Sequence, residues 1–174
     1  MNLTQLFDME LKRARTDERP SIDLLYADRQ DKVLGRGWSM SSAERGRIKV
    51  LIVDDHEDAA NLLAGAMQFY GYQTVVAFSG AAALKAIGSK PPQVAILDLG
   101  MPDMSGLELA RRLRKTRGSD ELLLIALTGW GQQEAGEASR SAGFDSHFVK
   151  PADPGSLSAL IDEEAFRRRV AGNV

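Results

Sequence analysis

The sequence predicts an α/β fold in which helices cover both faces of a doubly wound, five-stranded parallel sheet. Between residues 48 and 166, short β-branched apolar segments alternate with longer segments of helical periodicity. Polar residues hardly interrupt these segments, as is typical of strands buried on both faces. Four of the five predicted strands also end in, or are directly followed by, a polar or charged residue. Such ends suit an open parallel sheet, which binds ligands beyond the carboxyl ends of its strands.

The predicted strands cover residues 48–53, 74–78, 94–98, 122–128 and 147–150. The first helix follows the DDHED segment and runs to Phe69, where Gly71 provides a stop signal. An Ala-rich helix is expected over 79–87, and a Ser105-led helix should turn leucines 107, 109 and 113 inward. A polar helix over 132–142 and a final helix from about 154 complete the pattern. Right-handed crossovers would then place helices on both faces of the sheet.

Composition excludes several classes of protein. The chain has 174 residues, no cysteine, two histidines and a formal net charge of −2. Disulfides and thiolate metal sites are therefore excluded, a histidine-based zinc site is not expected, and no global charge favours nucleic acid. No apolar run reaches the roughly 18 residues that a membrane helix needs. The acidic residues near the start argue against a signal peptide, so we expect a cytoplasmic protein without membrane or nucleic-acid partners.

Acidic residues follow the first and third predicted strands. Asp54 and Asp55 come directly after the first strand, and Asp98 ends the third. Three carboxylates at one edge of a sheet repel each other unless a cation lies between them. Oxygen ligands without nearby thiolates favour Mg²⁺, or Mn²⁺, as that cation.

The other two strand ends supply groups that suit phosphoryl transfer. The fourth strand ends in Thr128 and the fifth in Lys150. An aspartate can accept a phosphoryl group from a phosphohistidine while the metal neutralises charge. The lysine ammonium and the threonine hydroxyl could hold further phosphoryl oxygens. The strand ends therefore predict a metal-assisted phosphoacceptor site.

Four segments resemble the motif regions of response-regulator receiver domains, in the right order and spacing: VDDHEDA, LDLGMPDMSGLEL, ALTGWG and FDSHFVKPADP. The resemblance covers about residues 48–166 and implies the flavodoxin-like (βα)5 receiver fold. The resemblance implies that Asp98 is the phosphoacceptor and Asp55 a direct metal ligand, and that Asp54 acts through metal-bound water. It makes the backbone carbonyl of Gly100 the last protein ligand, Thr128 the switch hydroxyl and Lys150 the phosphoryl-binding lysine.

The resemblance has one departure and one further implication. The family's switch aromatic, usually Tyr or Phe, stands three residues before the lysine, and His147 occupies that place here. A histidine there is frequent in receivers of hybrid histidine kinases and in their stand-alone relatives, and it differs from the aromatic ring that makes the family's inward–outward switch. The family also implies a cis peptide between Lys150 and Pro151, since cis bonds are essentially confined to proline.

Two other residues, His56 and Trp130, have both a structural and a functional interpretation. His56 and Glu57 are expected to be solvated residues of a first helical turn, although His56 could contact a phosphodonor. Trp130, in a Gly-flanked loop, could pack locally or contact a partner.

The ends of the chain lie outside the resemblance. Leu3, Leu6, Phe7 and Leu11 have helical spacing, so residues 1–47 are interpreted as a helical arm and a polar linker over 40–47. We expect the arm to pack against receiver surface, preferably in a homodimer. Residues 167–174 are interpreted as a C-terminal tail without room for an output domain.

These features predict a two-component response regulator, acting alone or as a phosphorelay shuttle. Its partners would be a histidine kinase or histidine phosphotransfer protein and a downstream protein target. It would catalyse only its own phosphorylation and dephosphorylation. The alternatives are a receiver fragment of a hybrid histidine kinase and a pseudo-receiver that is never phosphorylated. A phosphatase or mutase of the aspartyl-phosphate class is rejected because Asp98-Leu99-Gly100 lacks the second acid of a D-x-D motif.

Overall fold

The computed structural model describes residues 40–87, 91–116, 121–129 and 135–171. Its strands are β1 (Lys49–Val53), β2 (Gln73–Ala77), β3 (Val94–Asp98), β4 (Leu123–Thr128) and β5 (Ser146–Val149). Its helices are α1 (Ser42–Arg45), α2 (Glu57–Phe69), α3 (Gly80–Ala86), α4 (Gly106–Arg114), α5 (Ala135–Ala142) and α6 (Pro154–Ala171).

The five strands form one parallel sheet in the order β2-β1-β3-β4-β5. Chain order reverses between β1 and β3, so this pair flanks the crevice where open α/β sheets bind ligands. The register pairs Val53 with Leu97 and Asp98 with Leu127, which brings the strand ends together at one edge. The predicted doubly wound fold is confirmed.

The core lies in the three central strands. Every residue of β3 and β4 is buried, as are four of the five residues of β1. Full burial of an aliphatic side chain stabilises the fold by about 1.5–3 kcal/mol. The strand ends that carry the polar residues are therefore fixed by the best-packed part of the molecule.

Serine caps set the starts of two helices near this edge. Ser79 accepts a hydrogen bond from the Ala82 amide at the start of α3, and Ser105 accepts one from the Glu108 amide at the start of α4. On α4, Leu109 and Leu113 are buried, and Leu107 is partly buried against the core.

Residues 40–47 differ from the expected linker because they contain α1, a helix with a capping box. The Ser41 side chain accepts from the Glu44 amide while the Glu44 carboxylate accepts from the Ser41 amide. Arg45 then forms a bidentate pair with Asp162 of α6, with Nη2–Oδ2 and Nε–Oδ1 distances of 2.5 and 3.1 Å. Tyr72 donates to the same carboxylate at 2.7 Å. This half-buried network joins the segment to the sheet domain.

The remaining differences concern boundaries. Strands β1, β2, β4 and β5 are each displaced by a residue or shortened at one end relative to the sequence prediction. Helix α6 continues to Ala171, so most of the predicted tail after residue 166 is helical. The predicted arm and Trp130 lie outside the described residues. No helix within the described ranges is long and apolar enough to span a membrane.

Candidate functional site

The candidate site lies at the carboxyl edge of the sheet. Asp54 directly follows β1, Asp98 is the last residue of β3, and Thr128 is the last residue of β4. All three are buried, with relative exposures of 3, 6 and 6%. Lys150 directly follows β5, the neighbour of β4. The parallel sheet thus places all four of these predicted site residues at one edge.

Lys150 reaches across this edge to two acidic residues. Its Nζ lies 2.7 Å from Oδ2 of Asp54 and 3.0 Å from Oδ2 of Asp98. Partial burial acts to lower the pKa of Lys150, but the hydrogen bonds and charges of the two carboxylates outweigh it and raise the pKa above its ordinary value. The lysine is therefore held as a cation beside the predicted phosphoacceptor.

Asp55 and His56 complete the acidic group. Oxygen or nitrogen ligand atoms from Asp54, Asp55, His56 and Asp98 lie within 4.8 Å of one another. The Oδ1 atom of Asp55 is buried without a hydrogen-bond partner among the described residues. An unsatisfied buried carboxylate oxygen is costly, and a cation would compensate it. The donor set, rich in carboxylate oxygens, fits a hard divalent ion such as Mg²⁺ or Mn²⁺.

Two glycines that follow β3 lie close to Asp98, the predicted phosphoacceptor. The Gly100 amide donates to Oδ1 of Asp98 at 3.2 Å. The role of the Gly100 carbonyl as a metal ligand stays a prediction. Gly106, at the start of α4, packs so closely that a Cβ there would overlap the backbone oxygen of Asp98 and approach Cα of Leu99 to 2.9 Å. Only glycine permits this approach of α4 to the acceptor.

Sequence reasoning missed the role of Gly106. The signal was present, because a glycine directly after a capping serine is an unusual choice for the first turn of a helix. It also treated His56 as a solvated residue or a contact for a phosphodonor, and not as a neighbour of the carboxylates. The ring is 76% exposed, but its Nδ1 lies 3.4 Å from Oδ1 of both Asp54 and Asp55.

The predicted switch residues lie on β4 and β5. Thr128 Oγ1 donates to the Phe148 carbonyl at 3.4 Å, a long contact, and the Thr128 carbonyl accepts from the Lys150 amide at 2.8 Å. His147 lies on β5 with an exposed side chain. The Lys150–Pro151 peptide is cis. The switch roles of Thr128 and His147 stay predictions.

Comparison with known proteins identifies the family. The sequence model of the response regulator receiver domain matches residues 50–162. An uncharacterized 14.6 kDa protein of Leptolyngbya boryana is 32% identical over 117 residues, which are 67% of this chain and 89% of that protein. The virulence sensor protein BvgS of Bordetella bronchiseptica is 34% identical over 125 residues, which are 69% of this chain but 10% of that protein.

A solved structure agrees with these sequence matches. The CheY-like response regulator receiver domain protein of Methanospirillum hungatei aligns with a TM-score of 0.65 and 28% identity. The alignment covers 71% of this chain and 98% of that one. The sequence motifs, the sheet order and the acidic edge all agree with these matches, and the chain belongs to the response regulator receiver domain family of two-component signal transduction.

Proposed function

We propose that Asp98 accepts a phosphoryl group from a phosphohistidine of a histidine kinase or a histidine phosphotransfer protein. The observation that carries this proposal is the position of Lys150, whose Nζ lies 3.0 Å from Oδ2 of Asp98. A buried carboxylate at a strand end, with an ammonium beside it and further acids around it, suits an in-line transfer that depends on positioning and charge.

In the proposed reaction, a carboxylate oxygen of Asp98 attacks the phosphorus of the donor. A P–O bond forms, the P–N bond to the donor imidazole breaks, and the imidazole nitrogen keeps the electron pair and takes a proton from solvent. Lys150 holds one phosphoryl oxygen as a point charge, and the Thr128 hydroxyl donates to another. Asp54, Asp55, Asp98 and the Gly100 carbonyl would hold Mg²⁺ or Mn²⁺, which neutralises charge on the phosphoryl oxygens.

Phosphorylation would then act on the surface formed by β5 and α5, the helix that follows β4. A Thr128 hydroxyl that turns toward the phosphoryl group gives up its long contact with the Phe148 carbonyl. The neighbouring strand, which carries His147, would favour a second packing, and a downstream protein would select one of the two states. A cytoplasmic location belongs to the same proposal.

A second candidate function involves the same phosphoryl transfer, but in a receiver that is part of a longer protein. The similarity to the sensor protein BvgS favours a receiver that works within a longer kinase, whereas the small Leptolyngbya protein favours a stand-alone regulator. The mass of the native polypeptide, measured by immunoblot of the source cells, distinguishes them.

Residues 1–39 carry a separate proposal, that the apolar residues Leu3, Leu6, Phe7 and Leu11 of the arm pack against the receiver surface of a second copy in a homodimer. Light scattering should give the mass of two copies for the full chain and of one copy for the chain without these residues, and Asp98 phosphorylation should stay intact. Monomers in both cases would contradict the dimer.

The phosphoacceptor proposal is tested with phosphoramidate, whose P–N bond resembles that of phosphohistidine. With Mg²⁺, intact-mass spectrometry should show one added phosphoryl group, labile to base, and chelation of the metal should abolish the addition. A pseudo-receiver would gain no mass under either condition.

A further inference from the structure

We propose that His56 is a nitrogen ligand of the cation at this site and shifts its preference from Mg²⁺ toward first-row transition metal ions. The inference rests on the proposed function only in taking the acidic edge as the cation site. The family resemblance assigns that site carboxylate and carbonyl oxygens, and an imidazole adds a different kind of donor.

Geometry supports the ligand role. His56 Nδ1 lies 3.4 Å from Oδ1 of Asp54 and 3.4 Å from Oδ1 of Asp55. Neighbouring ligands of an octahedral ion with bonds of about 2.1 Å lie about 3 Å apart. Nδ1 of His56 and Oδ1 of Asp55 therefore have nearly the spacing of two ligands that share one ion.

The two carboxylate oxygens of Asp54 have different partners. Lys150 contacts Oδ2 of Asp54, whereas the Nδ1 atom of His56 approaches Oδ1. The unsatisfied Oδ1 atom of Asp55 lies on the same side as His56, as their 3.4 Å separation requires. A cation on this side would satisfy that oxygen without displacing Lys150.

The local fold supports this use of the ring. His56 is the N-cap residue of α2, but its side chain makes no capping hydrogen bond. Its backbone amide instead donates to Oδ1 of Asp54 at 2.9 Å, which places the ring beside the carboxylates. Because the ring is largely exposed, it can turn toward the cation without repacking the core.

The chemical consequence is selectivity. Mg²⁺ strongly prefers oxygen ligands, whereas imidazole binds Co²⁺, Ni²⁺ and Zn²⁺ well, and affinity for a mixed site rises from Mn²⁺ toward Cu²⁺. A site with one imidazole should therefore bind Co²⁺ more tightly, relative to Mg²⁺, than the same site without it.

The test uses Mn²⁺ as a paramagnetic probe on the 174-residue chain without an affinity tag. Electron spin-echo envelope modulation detects a directly bound imidazole nitrogen. The chain has only two histidines, so His147→Gln is the matched control for His56→Gln. The wild type and H147Q should show nitrogen modulation, and H56Q should lack it.

Because even an outer-shell partner of a ligand is worth about 10–100-fold in affinity, H56Q should weaken Co²⁺ binding by about tenfold or more. Mg²⁺ binding, measured by competition with Mn²⁺, should change much less.

Four outcomes would overturn the inference. Bound Mn²⁺ without nitrogen modulation in the wild type, or modulation that persists in H56Q, removes His56 as a ligand and leaves the proposed function standing. Equal losses of Co²⁺ and Mg²⁺ affinity in H56Q would contradict the selectivity. If no divalent cation binds to the wild type, the metal-assisted function fails together with this inference.

Discussion

Lys150 and Asp98, at the ends of different strands, meet with 3.0 Å between Nζ and Oδ2. The contact depends on the parallel order β3-β4-β5, which brings the carboxyl end of β5 to the same edge as β3. Lys150 also contacts Asp54 at 2.7 Å, so one ammonium bridges two buried acids. The geometry places a positive charge beside the oxygen that the proposed reaction phosphorylates.

Lys150→Met should therefore slow phosphorylation while nearly preserving side-chain volume. Loss of one preorganised donor to a developing oxyanion costs about 10²–10³ in rate, and we expect K150M to slow phosphorylation by a similar factor. The rate of mass gain with phosphoramidate and Mg²⁺ measures the effect. Lys49→Met, which changes a lysine at the opposite end of β1, is the control and should keep the wild-type rate. A K150M rate equal to that of wild type would exclude Lys150 from the reaction.

The metal prediction separates Asp55 from Asp54. Asp55→Ala should weaken Mg²⁺ binding sharply, because it removes an oxygen that has no other partner among the described residues. Asp54→Ala should cost less, because Asp54 is proposed to act through metal-bound water and already pairs with Lys150. Calorimetric titration with Mg²⁺ compares the two variants. Equal losses would contradict the division of roles.

Gly106→Ala should disturb the acceptor loop. The added methyl group would overlap the backbone oxygen of Asp98, and overpacking of this kind costs about 1–3 kcal/mol. Thermal unfolding should show a lower Tm, and phosphorylation should slow because β3 and α4 must separate. Gly65→Ala is the control, since a Cβ there meets nothing within 4 Å and alanine favours the helix by up to about 1 kcal/mol. A G106A protein with wild-type Tm and rate would show that the close approach is dispensable.

The pair between Arg45 and Asp162 predicts where the folded domain begins. Arg45→Gln leaves the nearly buried carboxylate of Asp162 with Tyr72 as its remaining strong donor. The substitution should lower the free energy of unfolding by about 2–3 kcal/mol. This loss is smaller than that for a fully buried pair, because both side chains keep some contact with water. Arg47→Gln changes an exposed arginine of the same segment and should have little effect. Denaturant unfolding measures both.

A chain that starts at residue 48 should be destabilised to the same degree as R45Q, since it lacks the same pair. Unfolding free energies that do not differ between chains starting at 40 and at 48 would restore the linker interpretation.

The sheet was predictable because each strand carries its own signal. The segment VAILD reads as a buried strand without any tertiary information, and its predicted range agrees with β3. The strand ends followed from the same pattern, so the meeting of Asp54, Asp98 and Lys150 could be expected once a parallel sheet was assumed.

Helix α1 was missed for a physical reason. A four-residue helix has too few hydrogen bonds to form alone, and its stability depends on Asp162, which lies 117 positions away. The capping pair Ser41 and Glu44 gave a local signal, but a polar segment of this length fits a linker equally well. The contact of the His56 ring with two carboxylates depends on the turn after β1 and could not be read from its position alone.

The central claim, that Asp98 is the phosphoacceptor, is tested most directly by intact-mass spectrometry of Asp98→Asn after incubation with phosphoramidate and Mg²⁺. The asparagine keeps the shape of the side chain and removes the attacking carboxylate, so the variant should remain folded and gain no base-labile phosphoryl group. Asp103→Asn, in the same loop, is the control and should be phosphorylated like the wild type. Phosphorylation of D98N at the wild-type rate would contradict the account.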